Sequence, residues 1–184
     1  SNIYLIFKKK RDKKYFGIKK NIYFKYNVFS QESDLRAIFN NYWDEESTRI
    51  AVLVSLNKLF NKFDFFDLGA NYGLYSLPFF NLDKVTSHLI VEPNPLLFTC
   101  LEKTFSKSKV KIISNAITVT GQKKKLLFNI NPFASGSSSL ESPVTKSYPL
   151  STVQMGVDGI SYSDMFNKYK MEKNVIIKID IEGT

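Results

Sequence analysis

The residue pattern predicts an α/β fold in which helices cover both faces of a doubly wound, mainly parallel sheet, preceded by an N-terminal β-hairpin/helical extension. Three observations carry that expectation. From residue 63 onward, short apolar runs alternate with stretches of helical periodicity at the spacing of βαβ units. The first of these runs, Phe63-Asp64-Phe65-Phe66-Asp67-Leu68, opens directly into a glycine-punctuated turn, Gly69-Ala70-Asn71-Tyr72-Gly73. With 184 residues and 43% hydrophobic content, the chain can bury one sizeable core and has little room for a second. The expected division is a basic, β-rich arm over residues 1–33 and a cofactor-binding domain over 34–184.

The elements follow in order. Residues 3–7, 14–18 and 21–29 are rich in Ile, Tyr and Phe with interspersed lysines, and read as two or three short antiparallel strands capping the main sheet. From Asp34 to about Asn61, Leu35, Ile38, Phe39, Tyr42, Ile50, Leu53, Val54, Leu56, Leu59 and Phe60 recur at helical spacing, giving one or two helices. Then come a strand at 63–68, a helix at 72–80, a strand at 87–92 and a helix at 95–106. A strand at 109–114, another near 125–130, a helix at 161–169 and a strand at 174–180 complete the alternation. Residues 131–155, with Ser135 to Ser139, Ser142, Pro143 and Pro149, form a polar loop long enough to be a lid or substrate loop. The last apolar run, Val175 to Ile181, reads as a central strand that needs cover on both faces. Further strands are therefore expected beyond Thr184, and the domain is expected to be incomplete at its C-terminus.

Charge is unevenly placed. Between residues 8 and 25, nine cations oppose Asp12 alone, so all but one of the nine net positive charges sit there. Such an arm can meet an anionic partner, whether phosphorylated glycan, lipid headgroup or nucleic acid, or can simply be a lysine-rich solvated hairpin. A single cysteine excludes an intramolecular disulfide, and Ile3 to Phe7 is too short for a membrane span or a signal h-region. A cytoplasmic enzyme is the expectation.

The chemistry concentrates at strand ends. Gly69 and Gly73 allow a sharp turn and close backbone approach to a ligand, as in Rossmann-like nucleotide sites. Nineteen residues past Gly73, the run His88-Leu89-Ile90-Val91 ends in Glu92, where a carboxylate can accept both ribose hydroxyls of a nucleoside. Asp180 and Glu182 lie two apart at the end of the last strand and share a face if that strand persists. One of them can accept a proton from a hydroxyl or hold an acceptor. They make a poor metal specification without further ligands. His88, the only histidine, stands at the wrong end of its strand for the site and reads as structural, and Cys100 as a packed thiol.

Five pieces in order, Asp67-Leu-Gly69-Ala70-Asn71-Tyr-Gly73, Glu92-Pro93-Asn94-Pro95, Asn115-Ala116-Ile117, Ser137-Ser138-Ser139-Leu140 and Lys178-Ile179-Asp180-Ile181-Glu182-Gly183, resemble the FkbM-type S-adenosylmethionine-dependent methyltransferases. The resemblance runs from residue 63 to 183 and implies a class I methyltransferase fold with S-adenosyl-L-methionine as cofactor. It implies that Gly69, Ala70, Asn71 and Gly73 contact the methionine part of the cofactor. Asp67 would orient the turn or the ammonium group, Glu92 would bind the ribose, and Asn115 and Ala116 would lie near the adenine. The expected reaction is O-methylation of a hydroxyl on a glycan, glycolipid or secondary metabolite. An NAD-type oxidoreductase keeps the fold, but the turn has G-x-x-x-G spacing instead of G-x-G-x-x-G. Nucleic-acid modification is disfavoured because no Asn-Pro-Pro-aromatic motif and no Pro-Cys loop is present. A non-catalytic, truncated cofactor-binding fragment is the remaining alternative.

Overall fold

The structure, a computed structural model, describes residues 16–19, 27–30, 45–106, 108–119, 125–130, 138–140 and 153–181. The strand expected at 3–7, the start of the helical region, most of the 131–155 loop, the side chains of the basic arm and Glu182 lie outside them. In chain order the elements are β1 (Phe16–Lys19), β2 (Asn27–Ser30), α1 (Glu45–Leu56) continued by a 3-10 turn (Asn57–Leu59), β3 (Phe63–Leu68) and β4 (Val85–Val91). After these come α2 (Pro95–Thr104), β5 (Lys111–Ile113), β6 (Asn115–Thr118), β7 (Lys125–Ile130), β8 (Val153–Ser161), α3 (Tyr162–Tyr169) and β9 (Val175–Ile179). Among the described residues no helix is long and apolar enough to cross a membrane.

The centre is a parallel sheet in the order β5-β4-β3-β9. Every residue of β3 is buried, as a strand covered on both faces must be. Phe66, Leu68, Leu89 and Val91 pack on one face with Met165 of α3. On the other face, Ile90 packs with Leu97, Cys100 and Leu101 of α2, while Phe63, Phe65 and Ile176 meet Phe79 and Leu53 and Val54 of α1. The connections from β3 to β4 to β5 thus cover one face, and α3, leading into β9, covers the other. This is an α/β fold whose winding reverses at β3, and a crevice opens at such a reversal beyond the carboxyl ends of the strands. A smaller sheet, β6-β8-β7, has β6 parallel and β7 antiparallel to β8. β1 and β2 pair antiparallel, as expected of the arm.

Two expectations need correction. No helix follows the glycine turn: residues 71–81 form successive turns closed by Gly73 N–H to Ala70 O, Ser76 N–H to Gly73 O and Phe79 N–H to Ser76 O at 2.8–3.1 Å. Positive φ at Asn71 and Gly73 interrupts a right-handed helix at its start, and Pro78 lacks the N–H a helix there would need. The strand expected at 109–114 ends at Ile113, and Asn115 begins a strand of the second sheet. β8 was not expected at all; its stretch VQMGVDGIS carries two glycines and an aspartate, and its partners are non-local.

Candidate functional site

Beyond the carboxyl ends of β3, β4 and β9, and against β6 of the second sheet, lies an open cleft of about 180 Å³. At some 15 Å³ for each water, that is room for on the order of ten water molecules, the scale of a small organic ligand. Gly69, Ala70, Asn71, Glu92, Asn115, Ala116 and Asp180 all line it. Chain segments far apart in sequence therefore converge on one space.

Glu92 sits directly after β4 and is 5% exposed. Its Oε2 accepts the Asn71 N–H at 2.7 Å and its Oε1 accepts the Asn94 N–H at 2.9 Å. Each carboxylate oxygen has a second lone pair, so acceptor capacity remains for ligand hydroxyls. Burial pushes the Glu92 carboxyl up to about 7, against the two backbone hydrogen bonds and the Lys178 charge, which favour ionisation. Asn94 also caps α2 by accepting the Leu96 N–H at 3.0 Å, with Pro95 at the first helical position. A short segment therefore both starts a helix and fixes the carboxylate.

The turn is held by close packing. Gly69 has φ +70°, and a Cβ there would collide with the backbone carbonyl of Asp180. Its glycine is thus required by the neighbouring chain, where the sequence pointed to ligand approach. Asn71, at φ 52°, adopts the left-handed region that Asn tolerates. Gly73 does not line the cleft: its Cβ would meet the Phe105 and Leu101 side chains at 2.7 and 2.9 Å, so it serves the packing of α2. Asp67 also stands behind the cleft wall. It is fully buried, with Oδ2 accepting the Ser76 hydroxyl at 2.8 Å and Oδ1 facing the Lys178 ammonium at 3.3 Å, an ion-pair contact outside hydrogen-bond geometry.

Asn115 donates from Nδ2 to the Asp158 carbonyl at 3.3 Å, and Ala116 packs into the core of the second sheet with Phe128 and Val157. Ser138 and Leu140 reach the cleft because Asn129 and Ser139 exchange backbone hydrogen bonds at 2.8 and 3.0 Å. Asp180, with its side chain 61% exposed, lines the cleft; Glu182 lies outside the described residues. His88 is buried in the core, edge-on to Phe65 at 5.1 Å, and burial pushes its imidazole down to about 3.

Sequence reasoning assigned no role to Lys178. Its side chain is 9% exposed, lines the cleft, and donates to the Gly69 carbonyl at 2.7 Å. The signal was a lone cation between Ile177 and Ile179 within an apolar run, which needs a partner if the run is packed. No family model, curated protein or solved structure matches this chain.

Proposed function

We propose that the cleft binds S-adenosyl-L-methionine and that the protein is a methyltransferase of the Rossmann-like class I type, acting on a hydroxyl of a glycan, glycolipid or secondary metabolite. The observation that carries this reading is Glu92, a buried carboxylate at the end of β4, facing a cleft whose turn has already spent four of its five backbone donors. The N–H groups of Gly69 and Ala70 go to Val91 O, that of Asn71 to Glu92, and that of Gly73 to Ala70 O. A dinucleotide's pyrophosphate needs free N–H groups and a helix N-terminus at this turn. Here four of the five donors are engaged, and residues 71–81 are turns, not helix. Among the described residues, the acidic and basic side chains lining the cleft are Glu92, Asp180 and Lys178, with the Asp67 carboxyl group behind them, so acidic groups outnumber cations there although the chain as a whole is strongly basic. That balance favours a cationic ligand over a polyphosphate.

The residues fit the cofactor on these grounds: Glu92 has lone pairs left for ribose hydroxyls, and Ala116, Ile117, Phe128 and Leu140 supply an apolar wall for a flat ring. When bound, the cofactor supplies a methyl group on a sulfonium. With it in place, the chain's part would be to hold the acceptor hydroxyl in line with that group and to take the hydroxyl proton on an Asp180 carboxylate oxygen. Asp180 is exposed enough to reach an acceptor and stands on the strand end adjoining the turn.

Titration calorimetry with S-adenosylhomocysteine, and NAD as the control, tests the reading. Selective S-adenosylhomocysteine binding is expected. Selective NAD binding overturns it in favour of an oxidoreductase, and binding of neither leaves a non-catalytic fold.

A further inference from the structure

We propose that Lys178 is the positioning residue of the cleft: its ammonium clamps the Gly69–Gly73 turn to the end of β9, setting the turn and Asp180 in one register. Ion pairing with Asp67 alone does not account for its placement. The shortest contact of the ammonium is the hydrogen bond to the Gly69 carbonyl at 2.7 Å, while Asp67 Oδ1 lies at 3.3 Å and Asp180 Oδ2 at 3.8 Å. The Tyr75 ring lies 5.0 Å away and closes the remaining side. The compact ammonium gives one N–H to the Gly69 carbonyl while both carboxylates lie within ion-pair range of it.

A second observation points to the same seam. Gly69 packs so tightly on the Asp180 carbonyl that no side chain fits between them, and the Asp180 N–H donates to Leu68 O at 3.0 Å. The turn after β3 and the chain after β9 are therefore in van der Waals contact where the cleft begins. Lys178 stands in register with Asp67 on the neighbouring strand, so its side chain reaches across that seam from the same face. The face also carries Glu92, whose charge Lys178 favours. One ammonium thus serves the carbonyl of the turn and the carboxylates around it. The clamp itself is read from the geometry of the free protein; only its effect on ligand affinity rests on the cofactor reading.

The test compares Asp67→Asn, Lys178→Met and the double variant by thermal unfolding, by hydrogen–deuterium exchange over residues 69–76, and by S-adenosylhomocysteine titration. Lys178→Met alone strands a buried carboxylate and is expected to lower Tm by roughly 10 °C. The double variant removes both charges and is expected to regain most of that loss. Its turn should still exchange at least tenfold faster than wild type, and ligand Kd should be at least tenfold weaker. Asp67→Asn keeps the bond to Gly69 and should exchange like wild type. Wild-type exchange in the double variant at recovered Tm, or equal loosening in Asp67→Asn, overturns the clamp and leaves Lys178 a counter-ion. The exchange comparison decides this even if wild type proves not to bind S-adenosylhomocysteine.

Discussion

Asp64 and Asp67 are three residues apart on β3, both fully buried, and their surroundings are opposite. At the amino end of the sheet, Asp64 accepts the Ser87 N–H on Oδ1 at 3.1 Å and the Met171 and Glu172 N–H groups on Oδ2 at 2.7 and 2.8 Å. Main-chain donors seal it and join β3, the start of β4 and the approach to β9. At the carboxyl end, Asp67 has one hydroxyl and a share of one ammonium that also serves Gly69 and Asp180. A saturated carboxylate ties elements together, whereas an incompletely partnered set of charges keeps electrostatic capacity available beside a cleft. One end of the sheet stores stability, and the other holds charge in readiness.

The largest expected effect lies at the sealed end. Asp64→Ala removes the shared acceptor of three part-buried backbone N–H groups and is expected to cost about 2–4 kcal/mol by urea unfolding, with little change in ligand affinity. A cost under about 1 kcal/mol would erase the distinction between the ends. Next in size is Gly69→Ala, expected to lose roughly 2–4 kcal/mol, because the left-handed backbone and the Asp180 carbonyl both resist a Cβ. A crystal structure of that variant should show the end of β9 displaced, and an undisplaced seam would contradict the packing argument.

At Glu92, on the cleft side of the same end, the expected effect is on binding. Glu92→Ala is expected to weaken S-adenosylhomocysteine by at least tenfold, on the order of 1.5–3 kcal/mol, and an unchanged affinity in a folded variant sinks the ribose assignment. The pH profile sharpens this. With its folded value raised to about 7 from 4.5, the Glu92 contribution to stability is present below pH 4.5 and is lost as pH rises through 7. Ligand hydroxyls prefer the ionised form, so affinity should rise from pH 6 to 8, and Glu92→Gln should flatten both dependences.

The smallest expected effect is at His88. Its folded value falls from 6.5 to about 3, so its contribution is fully present above pH 6.5 and is lost as pH drops toward 3. Neither ring nitrogen has a hydrogen-bond partner, so His88→Leu should raise stability at pH 7 by about 1 kcal/mol and shallow the acid limb. A destabilised variant would mean that the imidazole's edge contact with Phe65 outweighs its unpaired N–H.

The strands of the parallel sheet were legible because a strand covered on its faces is rich in apolar residues, and β3, β4 and β9 stand close to where their apolar runs predicted. The helices at 95 and 162 were legible from periodicity, although their ends depend on the caps at Asn94 and Ser161. β8 and the broken segment 71–81 were not. The first depends on strand partners distant in sequence, and the second on backbone angles that local apolar spacing does not record.

The alternation of elements, the glycine turn and the carboxylate at position 92 follow from local apolar runs, small residues and strand length, all of which can be read along the chain. That Gly73 serves α2, that Gly69 yields to the Asp180 carbonyl, that Asp67 is buried behind the cleft, and that Lys178 joins them emerges from the folded arrangement alone. Those roles belong to distances across the sheet, and a distance between residues 69 and 178 is not written in either neighbourhood of the chain.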